Sequence, residues 1–356
     1  MSYTNINKST DYFNTLLYTG NKTANTTISG VGFQSDFTWI KSRTTAENHH
    51  AFDAVRGGGN RIYPNITNAQ SYISTTLTSW TSDGFVTGTD DGTNASGQNF
   101  ASWNWKANGA GSSNSSGTAT YCTVSANTTA GFSIVKWRSA SGAITVPHGL
   151  GVAPKVIIMK EIEDSGNWIV GGFGLDWNGY FILSANSAFY NSGDASSGSG
   201  RMFKAGGTEP TSTLLHTNGS AYMSSTSNNV IGYFFAEKQG YSKFGSYVGN
   251  GNADGPFIYT GFKPAFVMAK YAASGGTGSW HMYDNKRKGY NTENDYVQAN
   301  TASTENSDTD QVDFLSNGFK WRANGSETNT SGGTITYMAF AEAPLVGSNN
   351  VPCTAR

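Results

Sequence analysis

Gly151-Val152-Ala153-Pro154-Lys155-Val156-Ile157-Ile158-Met159-Lys160 is one of three versions of a single stretch in this chain. Gly32-Phe33-Gln34-Ser35-Asp36-Phe37-Thr38-Trp39-Ile40-Lys41 precedes it, and Gly261-Phe262-Lys263-Pro264-Ala265-Phe266-Val267-Met268-Ala269-Lys270 follows. In each copy a glycine opens the stretch and a bulky apolar residue follows it. A second bulky residue stands four places further on, and a lysine closes the stretch at the same offset. Apolar, largely β-branched and aromatic runs between turn formers predict a strand buried on both faces. The chain therefore reads as all-β, built from three related units.

Working outward, residues 13–18 predict a first strand, and Phe100-Ala101-Ser102-Trp103-Asn104-Trp105-Lys106-Ala107 a strand closing unit one. Its large and small residues alternate with period two. Unit two closes on residues 230–237 and unit three on 337–342, and both end in Phe-Ala-Glu (235–237 and 340–342). Ser82-Asp83-Gly84-Phe85 and Ser316-Asn317-Gly318-Phe319 predict matching hairpin turns. No apolar i, i+3, i+4, i+7 pattern persists, so helices are not expected. A repeat of roughly 110 to 120 residues exceeds a solenoid unit and suits an independent antiparallel sandwich, with jelly-roll or lectin-like connectivity preferred. The boundaries read as an N-terminal arm (1–12), three units (13–108, 119–238 and 240–345) and a polar tail (346–356). The Gly/Ser-rich stretch 108–118 reads as the linker between the first two units. The short 238–240 connection predicts close packing of units two and three.

Only 13% of residues are charged, and the net charge is −1. That argues against a basic track for nucleic acid. No run approaches the roughly 18 apolar residues of a membrane span, and Met1-Ser2-Tyr3-Thr4-Asn5 lacks a signal pattern. Two cysteines, Cys122 and Cys353, make no disulfide framework and read as free thiols.

No catalytic constellation, cofactor motif or metal-ligand spacing emerges. Asp53-Ala54-Val55-Arg56 and Asp284-Asn285-Lys286-Arg287 share a spacing at equivalent places, which reads as a structural ion pair (Asp53 with Arg56, Asp284 with Arg287). Unit two has Gly171 and Gly172 there instead. Glu237 and Glu342 belong to different units, whereas a glycosidase needs two carboxylates at one bond. Asp90-Asp91-Gly92-Thr93-Asn94 could offer oxygens to calcium, but the equivalent loop at 324–329 holds one acid only. Trp80, Trp177 and Tyr190 match nothing in the other units and flank polar loops. With Asp90, Asp91 and Asn94 they are the candidate contact residues, aromatic faces for a sugar ring beside polar groups for its hydroxyls.

The Gly-Phe-x-Pro-x-Phe-Val stretch with its terminal lysine, the Ser-Asp/Asn-Gly-Phe turns and the closing aromatic strands carry a resemblance. So does Gly240-Tyr241-Ser242-Lys243-Phe244-Gly245-Ser246-Tyr247-Val248-Gly249-Asn250-Gly251. Together they resemble a family of virion structural proteins of marine tailed bacteriophages, including those of cyanobacteria, over about residues 13–342. The resemblance implies a non-enzymatic, lectin-like or tail-fibre-like protein, made in the host cytoplasm and exposed on the virion. It would contact host cell-surface polysaccharide and other virion proteins, and would self-associate as a trimer. The alternative role is architectural: a head decoration, collar or tail adaptor whose two terminal segments dock on other subunits.

Overall fold

The three repeated stretches form strands Phe37–Ser42, Val156–Glu161 and Phe262–Tyr271, the central strand of each repeat. They belong to a computed structural model that describes residues 3–140, 142–191, 202–218, 227–273, 276–292, 294–307, 311–347, 349 and 351. Each repeat enters on an opening strand: Phe13–Thr19, Phe132–Arg138 and Ser242–Val248. A return strand follows the central one: His50–Asp53, Ile169–Gly172 and Trp280–Asp284. Each ends on a closing strand: Asn99–Trp105, Asn229–Phe235 and Thr334–Pro344. All three sheets take the same antiparallel order of opening, closing, central and return.

A smaller sheet backs each large one. In the first repeat it comprises Thr26–Ser29, Leu77–Thr81 and Gly84–Thr87. The second has Ala143–Pro147 and Leu214–Asn218. In the third it comprises Phe257–Tyr259, Val312–Leu315 and Gly318–Trp321. The two predicted turns join hairpins in which Thr81 pairs with Gly84 and Leu315 with Gly318. The chain is thus all-β and sandwich-like. Among the described residues helix is confined to single turns such as Asp91–Asn94.

The central strands are buried on both faces because each face meets a different core. Ile40, Ile157 with Met159, and Val267 with Ala269 point outward under their own small sheets. Phe37 with Trp39, Val156 with Ile158, and Phe266 with Met268 point the other way, into one cluster shared by all three repeats. There Phe37 stacks on Tyr233 at 4.2 Å, Phe13 on Phe340 at 5.0 Å, and Phe235 lies 6.0 Å from Phe340. Burying each such side chain is worth roughly 1.5–3 kcal/mol. Independent sandwiches, the expected arrangement, are therefore not what forms. The inner face of each large sheet is apolar and needs the other two to cover it.

Three equivalent hydrogen bonds close the ring at the head of the return strands. Trp168 Nε1 donates to Tyr63 O (2.8 Å), and Trp280 Nε1 donates to Ile182 O (3.2 Å). His49 Nε2 meets Gln298 O (3.1 Å), while His49 Nδ1 accepts from Trp39 Nε1 (2.8 Å), which sets the tautomer. Each seam therefore joins one repeat to the preceding one, and the first to the third.

The repeated lysines lie at these seams, fully buried. Lys160 Nζ donates to Gly166 O and across to Thr67 O, Lys41 to Ser42 O, and Lys270 to Tyr271 O. Burial lowers all three to about 8, although carboxylates nearby (Glu47 and Glu305, Glu161, Glu327) favour the charged form. Below that value the charge is carried in both folded and unfolded states. Above it the folded state gives up its proton first, so the unfolded chain binds more protons. Stability should therefore climb from about pH 8 towards pH 10. Urea denaturation across that range tests this, and Lys160→Met should remove its share of the climb. Above pH 10 the buried Tyr233 and Tyr241, whose pKa values burial raises, pull the other way.

Three boundary expectations change. The stretch 108–118 is no free linker, since Ser112–Ser113 pairs with Val124 and Thr123 as an edge strand. Gly111 (φ 73°) and Gly117 are there for close approach, because a Cβ would stand 2.6 Å from Val124 O and 2.3 Å from Thr145 O. The arm seats on its own chain: Ile6 is 3% exposed in the shared core, and Tyr3 OH donates to Gly261 O at 2.8 Å. The closing strand runs on to Pro344, and Leu345 N bonds Gly261 O. The rest of the tail lies mostly outside the described residues, as do Cys353 and nearly all of the polar stretch 191–200.

Candidate functional site

The Asp-x-x-Arg pairs are buried fixtures between repeats. Asp53 Oδ2 pairs with Arg56 Nε at 2.5 Å and also accepts from Tyr233 OH, in the second repeat, at 2.8 Å. Arg56 further donates to Asn60 O and Ala51 O. Burial works against the Arg56 charge, but Asp53 and Tyr233 beside it together more than compensate and raise its pKa. Asp284 Oδ2 pairs with Arg287 Nε at 2.7 Å and accepts from Trp103 Nε1, in the first repeat, at 3.1 Å. Gly172 occupies the matching register position in the second repeat, opposite Val156. The neighbour it would need is Met338, which sits opposite Met268 as Tyr233 sits opposite Ile158. A thioether donates no hydrogen bond, so a carboxylate there would be buried unpaired, at several kcal/mol.

The nominated contact residues do not converge. Trp80 donates to Thr38 Oγ1 (3.0 Å) and packs on the first repeat's outer core. Trp177 lies edge-on to Phe203, and Tyr190 stacks on Tyr180 at 5.1 Å. Asp90 accepts from Gly92 N and pairs with Arg61, while Asp91 pairs with Lys22. Asn94 is buried, accepting from Asn21 N and donating to Gly88 O and Thr23 O. Asn329 repeats that pattern with Asn250, Ala323 and Asn252. Tyr18 OH to Thr93 O (2.7 Å) and Tyr247 OH to Thr328 O (2.6 Å) match as well. The Thr-Asn pair is thus a loop clasp, and its oxygens are spent within the chain. Glu237 meets Lys243 and Phe244 N, and Glu342 meets Lys263, so the two do not face one bond. His281 Nε2 lies 2.5 Å from Glu327 Oε2, which also accepts from Ser279 N. Among the described residues no three of His, Cys, Asp and Glu are grouped to hold a metal ion.

A cleft of about 790 Å³ opens elsewhere, on the outer edge of the second repeat's large sheet. Strand Thr120–Asn127 pairs with Phe132–Arg138 in regular register from Asn127 opposite Phe132 to Thr123 opposite Lys136. The register then slips by one residue, and Thr120 faces Arg138. The bulge re-aims two side chains. Cys122 turns inward, where burial pushes its thiol up to about 11. Tyr121 swings out, 73% exposed, with φ at +51°. A bulky residue rarely adopts that φ, at a cost of order 1–3 kcal/mol. The Arg138 guanidinium lies 4.8 Å from the Tyr121 ring centre. Asn114, Thr123, Lys136 and Asn229 complete the polar wall. An exposed ring flanked by amides, hydroxyls and cations suits a hydroxylated ring ligand, which stacks on the aromatic face and bonds at its rim. None of these residues stood out in the sequence. The one available signal was an aromatic directly after a Gly/Ser-rich stretch.

Comparison with the curated proteins and with the solved structures returned no match. The family described as "Domain of unknown function (DUF7483)" matches residues 8–344, nearly the whole chain, and the chain belongs to that family.

Proposed function

We propose that this chain is a non-enzymatic virion protein, tail-fibre-like and exposed on the particle, that holds host surface polysaccharide at the Tyr121 cleft. The observation that carries the binding part is Tyr121 itself, a large ring held outward in a strained bulge over a polar cleft. A large ring held out to solvent by a strained backbone points to use. The virion part rests on the sequence resemblance. The expected result is that purified protein binds host cells or blocks infection, and that Tyr121→Ala weakens polysaccharide binding about 3–10-fold, the worth of one stacked ring. Undiminished binding by that variant would remove the cleft from the account.

One observation favours the architectural role. Phe257–Tyr259 is an edge strand of the third repeat's small sheet, and it exposes Phe257 (45%) and Tyr259 (54%) on the same side. Such an edge can accept a strand from a neighbouring subunit. A Phe257→Lys variant that failed to enter particles while still binding glycan would favour that role.

A further inference from the structure

We propose that the Tyr121 cleft selects an acidic sugar, one bearing a carboxylate or a sulfate ester, with Arg138 and Lys136 as its anion-binding pair. This rests on the glycan reading above and narrows it.

The argument starts from how this chain treats its arginines. Arg43, Arg56, Arg61, Arg287 and Arg322 each pair with a carboxylate. Arg138 is the remaining described arginine, and among the described residues no carboxylate pairs with it. Its Nε is buried with no hydrogen-bond partner, and its guanidinium lies over Tyr121. Arg138 is thus the one described arginine left without a carboxylate, and it lies on an exposed ring. Lys136, two residues back on the same strand, shares its face and lines the same cleft. Among the described residues no carboxylate lines the cleft. Glu163 is bonded to the lining residue Asn229, through its backbone N (2.9 Å) and side-chain Nδ2 (2.5 Å).

A planar guanidinium offers forked donors that match a carboxylate or sulfate, and charge-assisted bonds are roughly twice as strong as neutral ones. A sugar ring stacked on Tyr121 would bring an anionic substituent at its rim towards Arg138. Asn114 and Thr123 remain for its hydroxyls.

The test is binding of the full chain to three oligosaccharides of matched length: an oligogalacturonate, a sulfated galactan and neutral dextran. The expected result is about tenfold preference for at least one acidic probe, lost in Arg138→Gln, reduced in Lys136→Gln and weakened by added salt. The first two arms tell carboxylate from sulfate. Equal binding of dextran, still sensitive to Tyr121→Ala, would overturn acid selection and leave the glycan reading standing. Acidic binding untouched by Arg138→Gln and Lys136→Gln would also overturn the proposal. No binding of any probe would remove both readings.

Discussion

Asp53→Ala should cost the whole chain about 3–5 kcal/mol, because it strands a buried guanidinium. Arg56 and Asp53 are both almost inaccessible to solvent, with side-chain exposures of 1% and 0%. Removing the carboxylate leaves Arg56 charged without its counter-ion and deprives Tyr233 OH of its acceptor. Chemical denaturation should show the midpoint falling steeply. Tyr233→Phe is the informative companion, since it keeps the ion pair and removes only the bond across the seam. It should cost about 1–3 kcal/mol, the price of a lost buried hydrogen bond. If Asp53→Ala fell within about 0.5 kcal/mol of the parent, the typical range of surface substitutions, the pair would be an exposed turn contact. The seam account would then fail.

Phe340→Ala should have an effect of similar size, about 3–5 kcal/mol for a buried aromatic. The ring is 1% exposed and touches all three repeats. It stacks on Phe13 of the first, lies 6.0 Å from Phe235 of the second, and 5.7 Å from Phe244 of its own. The distinguishing readout is where the loss is felt. Hydrogen exchange should quicken in strands Phe37–Ser42 and Val156–Glu161 as well as in Thr334–Pro344. Faster exchange confined to the third repeat would mean that its core is its own.

The central strands were legible in the sequence because burial on both faces leaves an unbroken apolar run, and both hairpin turns were legible from Gly84 and Gly318. What covers the inner face was not legible. Phe37 and Ile40 are alike in hydrophobicity, yet one meets Tyr233 of another repeat and the other meets Phe85 of its own. Composition carries no label for the partner. The stretch 108–118 misread as a linker because it contributes backbone pairing, with little side-chain signal. Trp80, Trp177 and Tyr190 drew notice as unmatched aromatics, but Trp80 and Trp177 pack on the outer cores of their own repeats and Tyr190 stacks on Tyr180. Tyr121 escaped notice because its prominence comes from a one-residue register slip, which no residue type announces.

Calorimetric unfolding of the intact chain, compared with its van't Hoff enthalpy, tests the closed ring most directly. One shared core predicts a single transition for the described body, with the two enthalpies agreeing near roughly 250 kcal/mol. Separate transitions, or a van't Hoff enthalpy near roughly 80 kcal/mol as befits one repeat melting alone, would contradict it.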